Sequence, residues 1–310
     1  MRIAIGVAVL ASVLLTTACT GETATPAASP THPAGTDRQD VLRSVRGVDT
    51  CALYGGEQSV AGQSLTVLGP TSVLGCDARI GEPGDKVDVS LGLNVGPATP
   101  AKEDSWVKHR TIDGVDVSST SSLDAPNAPP KDQLVSWSCN FVARYPDATA
   151  IMVTVTAPPK VDACPIGEEL VRTAIREFAG RPQRGGSDYP TTVLTGADPC
   201  AAIKRLQPAH RVDWNVPDSG VSTCTFSVDG AELTTSFDYR DPAQLAYDGA
   251  QPAVDGHRFV GDIESGIFEV VVGDEFQVAG KTLQPVVSIV DLAPDMNRIR
   301  SVAQAIADEY

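Results

Sequence analysis

Apolar and polar residues alternate along several segments of the chain, and this alternation predicts β-strands. Residues two apart in a strand lie on the same face of a sheet, so each such segment presents one apolar face. The apolar positions are Cys76, Ala78 and Ile80; Val87, Val89, Leu91 and Leu93; Cys224, Phe226 and Val228; and Leu233 and Phe237. Asp229-Gly230 separates the last two segments and is typical of a tight hairpin turn.

A further hairpin is predicted later in each half of the chain. The alternating segments 137–141 and 151–155 flank a turn at 145–147, and the segments 268–272 and 286–290 are their counterparts in the second half. The pattern therefore predicts one antiparallel sheet in each half.

Helices are predicted to close both halves. The first opens at Pro165, has an apolar stripe at 170–178 and ends at Gly180, whereas the second opens at Pro294 and places the apolar residues of 299–306 on one face. Stripes of this kind pack against a sheet, so each helix is expected to cover one face.

A short helix is predicted at the start of each half. Asp49 and Asp198 can accept the free N–H groups of a first helical turn, and Pro199 suits the first helical position. The predicted fold class is therefore α+β. We expect two similar disulfide-braced domains, each a small antiparallel sheet packed with an N-terminal and a C-terminal helix.

The two halves match around their cysteines. Residues 48–52 (VDTCA) resemble 197–201 (ADPCA), and 75–79 (GCDAR) resemble 223–227 (TCTFS), at offsets of 149 and 148 residues. His109-Arg110 and His257-Arg258 also lie 148 residues apart. Internal similarity at a fixed offset indicates a repeated unit. We expect one domain copy at 40–180, a Gly-, Arg- and Pro-rich linker at 181–190, and a second copy at 191–310.

The N-terminus has the features of a bacterial lipoprotein signal peptide. Arg2 carries a positive charge, and the apolar run from Ile3 to Leu15 is shorter than the roughly 20 residues that span a bilayer. The run ends in Leu15-Thr16-Thr17-Ala18-Cys19, which resembles the lipobox, whose cysteine is alkylated by diacylglycerol before cleavage. We expect residues 1–18 to be removed and Cys19 to carry the lipid. The alternative is an ordinary secretory peptide cut nearby.

A lipidated flexible tether is expected at 19–39. Thr, Pro, Ala, Ser and Gly dominate this segment, and it has too few bulky apolar side chains to offset its ordering entropy. Two acyl chains on one cysteine give stable anchoring. The expected location is the extracytoplasmic face of the cell membrane, with the lipid bilayer as a partner through Cys19.

Charge excludes one class of partner. Without the signal peptide, 23 basic residues face 39 acidic ones, which gives a formal charge of −16. Nucleic acid and anionic lipid headgroups are poor partners for such a chain. Aromatic residues make up only 5% of the sequence, which argues against a surface that stacks polysaccharide.

Six cysteines remain once Cys19 carries lipid, and an exported chain is expected to use them as disulfides. Their separations of 25, 25 and 24 residues favour the pairs Cys51–Cys76, Cys139–Cys164 and Cys200–Cys224, although spacing leaves other connectivities open. None of the spacings is typical of zinc ligands, so no metal site is expected.

Several of these motifs together resemble a known group of proteins. The lipobox, the Thr- and Pro-rich tether, the Asp-Pro-Cys-Ala sequence at 198–201 and a second cysteine about 24 residues later are similar to actinobacterial, mycobacterial-type secreted lipoproteins of the DUF3558 kind. The resemblance implies a domain of the cell envelope and transfers no catalytic residues. The layout is also similar to extracellular sensor domains of mycobacterial serine/threonine kinases. Thr50 departs from the pattern, because proline is expected there.

Catalytic and cofactor-binding motifs are not recognisable. The sequence has no nucleophile elbow, zinc-protease motif, P-loop or EF-hand loop, so neither a catalytic residue nor a cofactor is predicted. Trp106, Trp137 and Trp214 are expected in the core rather than at a ligand-stacking site.

Three His-Arg pairs are the candidate ligand contacts. Each joins a pH-sensitive donor to a permanent cation, a combination that can bind a carboxylate or a phosphate. The alternative is a strand-edge pair whose charges balance nearby acids. The pairs are His109-Arg110, His257-Arg258 and His210-Arg211.

The leading hypothesis is a non-catalytic binding or sensing module of the cell envelope, which recognises an unknown envelope protein or ligand. A carrier of lipid or of a small apolar ligand is the alternative, and it requires an apolar pocket of about 300 Å³ or more. An envelope hydrolase ranks last and requires a cleft with clustered carboxylates.

Overall fold

The computed structural model describes residues 37–81, 86–96, 104–214, 219–245 and 249–310. The predicted signal peptide, Cys19 and all of the predicted tether before Asp37 lie outside these ranges. Within them, the chain forms two mostly antiparallel sheets and a few helices.

Eight antiparallel strands form the first sheet. They are β1 (Ser59–Val60), β2 (Gln63–Ser72), β3 (Gly75–Ile80), β4 (Val87–Val95), β5 (Lys108–Ile112), β6 (Val115–Ser121), β7 (Trp137–Arg144) and β8 (Thr149–Ala157). Their order in space is β1-β2-β3-β4-β8-β7-β6-β5. Alternate residues of β4, β7 and β8 are buried, as the sequence pattern predicts, and they form the inner face of this sheet.

Two α-helices accompany the first sheet. They are α1 (Arg38–Arg46), which contacts β4, and α2 (Ala163–Ala179), which contacts β7 and β8; short 3₁₀ turns lie at Cys51–Tyr54 and Lys131–Gln133. At Gly167 the helix α2 lies so close to the sheet that a Cβ atom would be 2.3 Å from Phe141 Cε2. A glycine is therefore required at this contact.

The helix α1 is not among the predicted elements. Asp37 caps it by accepting a hydrogen bond from the Gln39 N–H, and Val41, Leu42 and Val45 are buried. The helix begins at Arg38, so the predicted tether, which was expected to run to residue 39, overlaps its first turn.

The second sheet also has eight strands. They are β9 (Val212–Trp214), β10 (Thr223–Val228), β11 (Ala231–Arg240), β12 (Ala250–Val254), β13 (His257–Asp262), β14 (Ile267–Val271), β15 (Phe276–Val278) and β16 (Lys281–Asp291). Seven follow the order β12-β13-β14-β16-β11-β10-β9, and β15 pairs with β16. Asp229 and Gly230 both have positive φ, of 53° and 90°, in the predicted hairpin turn between β10 and β11.

Three helices belong to the second half. They are α3 (Ile203–Leu206), α4 (Pro242–Leu245) and α5 (Met296–Ala307). Asp295 caps α5 by accepting the N–H groups of Asn297 and Arg298. The prediction that prolines open the closing helices is wrong in detail. Pro294 precedes the cap of α5, and Pro165 lies inside the first turn of α2, which begins at Ala163.

The two sheets have the same connectivity. The order β2-β3-β4-β8-β7-β6-β5 corresponds strand for strand to β9-β10-β11-β16-β14-β13-β12. The remaining strand of each sheet, β1 in the first and β15 in the second, has no counterpart in the other. In both halves a helix follows the long central strand, α2 after β8 and α5 after β16.

Three disulfides join Cys51 to Cys76, Cys139 to Cys164, and Cys200 to Cys224. This is the sequential pairing that the spacing favours. The first and third join the start of each half to β3 or β10, whereas the second joins α2 to β7. The carboxylates of Asp49 and Asp198 accept the N–H groups of Cys51 and Cys200, so these two turns are built alike.

Each half inserts one valine into the core of the other. Val73, which precedes β3, packs in the apolar core of the second half, whereas Val221, which precedes β10, packs in the core of the first. Both side chains are at most 5% exposed. Because the exchange is mutual, neither core is complete without the other half of the chain.

Arginines hold the carbonyl groups of both exchanged valines. Arg46 Nε donates to Val221 O at 2.8 Å, and Arg184 Nη2 donates to Val73 O at 2.6 Å. Arg184 Nε also donates to Arg46 O at 2.9 Å, which links the two contacts. Burial lowers the pKa of both guanidinium groups, and the neighbouring Asp198 carboxylate opposes this for Arg46.

Arg38 also joins the two halves. Its Nη1 donates to Gly96 O, at the end of β4, and its Nη2 donates to Ser219 O, at 2.9 and 3.1 Å. Arg38, Arg46 and Arg184 with their carbonyl partners are called the seam below.

The segment 181–190, expected to be a linker or polar hinge, is instead bonded along its length to the first half. Val48 and Gln183 form a β-bridge, and Asp49 Oδ2 accepts both the N–H and the hydroxyl of Ser187. Tyr189 donates its hydroxyl to Val67 O at 3.0 Å. A segment with these contacts has little freedom to bend.

We expect Arg46→Met to lower the free energy of unfolding by about 3 kcal/mol, because the carbonyls of Gly220 and Val221 and the Asp198 carboxylate lose their buried donor. Urea unfolding followed by tryptophan fluorescence measures this loss. The matched control is Arg43→Met on the same helix. Arg43 is 73% exposed and pairs with its neighbour Asp40, so its loss is expected to cost less than about 0.5 kcal/mol. Equal losses in the two variants would contradict a special role for Arg46.

Candidate functional site

The three His-Arg pairs do not converge on one site. In the first pair, which is on β5, Arg110 pairs with Glu168 of α2 and lies over the ring of Phe141. His109, beside it, is 4.0 Å from the Asp116 carboxylate.

Side chains of the other two pairs also form hydrogen bonds to nearby residues. His257 Nδ1 bonds to Val271 O at 2.8 Å, and Arg258 donates to Leu245 O at 2.7 Å. His210 Nδ1 bonds to the Asp229 carboxylate at 2.8 Å. These contacts stay within neighbouring elements. His210 bonds to an acid, as the alternative expects, whereas His257 and Arg258 bond to main-chain carbonyls.

The equal spacing of His109-Arg110 and His257-Arg258 does not reflect equivalent positions. Equivalent strands can be found by starting at the paired cysteine and moving from each residue to the one that faces it on the next strand. In the first sheet this path runs from Cys76 to Leu91, Val153, Phe141 and Ser119. In the second sheet the same path leads from Cys224 through Thr235, Ile289 and Phe268 to Gly261.

The two ladders therefore make β13 the counterpart of β6. His257 lies on β13, whereas His109 lies on the next strand, β5, opposite Ser118. The interpretation of this third match as part of the repeat is wrong, because the loops between the strands differ in length and the offset is not constant.

The tryptophans differ in environment. Trp137 is buried and donates its Nε1–H to Val161 O at 3.0 Å, as a core residue would. Trp106 is half-buried. Trp214 is 39% exposed and donates to Ser219 Oγ, so the core prediction is wrong for this residue.

Two small pockets lie along the seam. One, of about 20 Å³, is lined by Asp49, Arg184 and Tyr239, and the other, of about 40 Å³, by Arg46, Asp198 and Trp214. Volumes of this size hold water molecules but not larger ligands. Together with the hydrogen bonds of the seam, they indicate a structural junction.

A larger pocket, of about 270 Å³, lies on the outer face of the second sheet. In β14, Phe268 and Val270 point into the main core, so Glu269 and Val271 point to the opposite side. On that side Val271, Val260, Val286 and Leu245 form a separate small apolar cluster. We call the cavity beside this cluster the outer pocket.

The outer pocket contains a buried ion pair. Glu269 is 4% exposed, and its Oε1 accepts hydrogen bonds from Arg240 Nη1 and from Ser288 Oγ. Asp262 and Ile267 also line the cavity, together with Gly249 and Gly261. A buried carboxylate is stable only when it is paired and hydrogen-bonded, as it is here.

Sequence reasoning missed the outer pocket. Arg240 ends β11 and Glu269 lies in the middle of β14, and nothing in their sequence spacing brings them together. The one available signal was Glu269 itself, an acid between the apolar residues Phe268 and Val270. The charged and small residues that line the outer pocket do not favour an apolar ligand.

No group of three or more His, Cys, Asp or Glu side chains is arranged to hold a metal ion in the part of the chain that the structure describes. None of the helices within the described ranges has the length and apolar character needed to cross a membrane. Comparison with known protein families, characterised proteins and solved structures found no match.

We expect His210→Ala to raise the pKa of Asp229. The hydrogen bond from His210, with that from the Arg211 N–H, holds the pKa of this carboxyl below its usual value of 3.8. Because the folded-state pKa is depressed, the contact stabilises the fold above the ordinary pKa and is lost as pH falls through the folded-state value. An NMR titration of the side-chain carboxyl groups measures the pKa of Asp229 in both proteins.

Asp295 is the control for this titration. Backbone N–H groups of Arg298 and Asn297 lower its pKa, and His210 is not among the causes. It should titrate identically in His210→Ala and in the unsubstituted protein. An unchanged Asp229 titration would show that His210 does not bond to this carboxylate in solution.

Proposed function

We propose that this protein is a lipid-anchored lipoprotein on the extracytoplasmic face of the cell membrane that serves as a non-catalytic binding or sensing module. The observation that carries the proposal is the cysteine usage. Cys19 lies at the end of a lipobox, and the other six cysteines are all used in the three disulfides. Disulfides are typical of proteins in oxidising compartments, which supports export of the chain.

A tandem duplication is part of this proposal. The shared strand connectivity, the two Asp-capped cysteine turns and the matching first and third disulfides support descent of both halves from one domain. The resemblance to DUF3558-type lipoproteins rests on the sequence motifs and is part of the proposal. In the second half Gly266 stands where Cys139 stands in the first, which accounts for the missing fourth bridge.

The binding role is supported by the way the two halves are joined. Exchanged valines and the hydrogen bonds of Arg46 and Arg184 hold the two sheets together, and surfaces that are held in place lose less entropy when they bind a partner. An acidic body of this kind suits an envelope protein or a small envelope ligand better than nucleic acid. No cofactor is part of the proposal.

Replacing Cys19 tests the anchor. We expect Cys19→Ala to move the protein from the membrane fraction to the soluble extracytoplasmic fraction with its disulfides intact, because the thiol is the site of lipid attachment. Fractionation with immunoblotting shows where each protein is located, and a mass measurement of the membrane form detects the lipid on Cys19. Thr25→Ala, in the predicted tether, should stay in the membrane. Retention of the Cys19→Ala protein in the membrane would contradict the proposal.

A second experiment tests the non-catalytic role. The purified mature protein is expected to show no turnover of cell-wall or ester substrates above the rate of a heat-denatured sample. Turnover that a single substitution abolishes would establish an enzyme instead, and would leave the anchoring result unaffected.

A further inference from the structure

The outer pocket has an excess of negative charge at its mouth. Arg240 pairs with Glu269 inside the cavity, whereas the lining residue Asp262 is exposed. Both oxygens of Asp262 accept backbone N–H groups, from Glu264 and Ser265 at 3.2 Å, so the turn fixes the position of the carboxylate. Glu264, in the same turn, adds a second exposed acid. The whole chain has a formal charge of −15, and its field therefore favours a cation here.

Aliphatic side chains surround the same turn. Ile267, which lines the pocket, is 47% exposed, Ile263 is 41% exposed and Leu292 is 85% exposed. Ile267 lies opposite Val290 of β16, and Leu292 is two residues beyond Val290, so both belong to this end of the sheet. Exposed aliphatic residues are common singly, but several at one end of a sheet are typical of a binding surface, and Ile267 is the one of the three that lines the cavity.

We propose that the outer pocket binds a small organic amine through an alkylammonium group. The ammonium lies against Asp262 at the mouth, and the aliphatic stem packs on Ile267. The exposed Asp262 carboxylate would repel a carboxylate ligand. A purely apolar ligand would bury that carboxylate, which is costly. The ligand class rests on the proposed binding function, whereas the tests of anchoring and turnover do not depend on it.

Three six-carbon probes with different head groups test the proposal. Hexylammonium, hexanoate and hexanol are titrated separately into the mature Cys19→Ala protein, and amide NMR shifts are followed at Gly261, Asp262 and Ile267. We expect hexylammonium to give saturable shifts at these amides and to bind at least about tenfold more tightly than hexanoate or hexanol, a difference of about 1.4 kcal/mol. Equal binding of hexanol, or tighter binding of hexanoate, would overturn the proposal.

Substitutions separate the pocket from the overall charge. Asp262→Asn keeps an acceptor oxygen for one of the two turn N–H groups and removes the charge. It should weaken hexylammonium binding roughly fivefold, as for an exposed ion pair of about 1 kcal/mol. The matched control is Asp213→Asn on β9, at the far edge of the sheet, where the carboxylate is also exposed; it should leave binding unchanged. Equal effects of both substitutions would reduce the interaction to non-specific attraction and overturn the assignment.

Ile267→Ser tests the apolar wall. This side chain is already half exposed, so the fold should tolerate the change, and binding of hexylammonium should weaken while that of methylammonium stays the same. If Ile267→Ser left hexylammonium binding unchanged, the stem would not lie on this residue. Absence of binding by every probe would overturn the ligand class and leave the proposed function standing.

Discussion

Arg46, which is buried, and Arg184, which is half-buried, join the two halves of this protein. A guanidinium removed from water must have its charge and its donors matched. Arg46 donates to Val221 O of the second half and pairs with Asp198, and Arg184 donates to the carbonyl of Val73, the valine that packs in the second core. The carbonyls of Val73 and Val221 reach these arginines only when each valine is packed in the core of the opposite half. The polar and apolar parts of the seam therefore depend on each other, and the orientation of the two sheets follows from both.

The outer strands of both sheets have features that discourage pairing with another chain. At one edge of each sheet the strand is very short, two residues in β1 and three in β9. At the other edges, β5 carries Lys108, His109 and Arg110 in succession, and β12 contains Pro252 with a shift of register between Gln251 and Val254. Short, charged or irregular edges are the usual protection against edge-to-edge aggregation. These edges therefore disfavour the addition of a strand from another chain.

The sequence predicts those elements that bury one face against a core. Alternation identified β3, β4, β7, β8, β10, β11, β14 and β16 because these strands have one apolar face, and Asp229-Gly230 identified its hairpin because few other pairs adopt positive φ twice. The helix α1 was missed, although Val41, Leu42 and Val45 form a short apolar stripe, because a polar tether precedes it directly. Edge strands such as β5 and β12 were missed because their exposed residues carry no alternation.

The site was harder to predict than the fold. Arg240 and Glu269 come together through strand register, and the length of the intervening loops, which decides register, leaves no periodic signal. The same cause explains the mistaken equivalence of His109 and His257, because a constant offset along the chain does not decide which residues face each other across strands.

Arg38 has a mechanical consequence if the chain is anchored through Cys19. Any pull from the membrane then enters the folded protein at the start of α1, where this side chain is bonded to Gly96 of one half and Ser219 of the other. The load is divided between two sheets at their junction and does not peel a single strand from an edge. Tension on a chain anchored in this way would act at the junction of the two sheets, where Arg38, Arg46 and Arg184 form their hydrogen bonds.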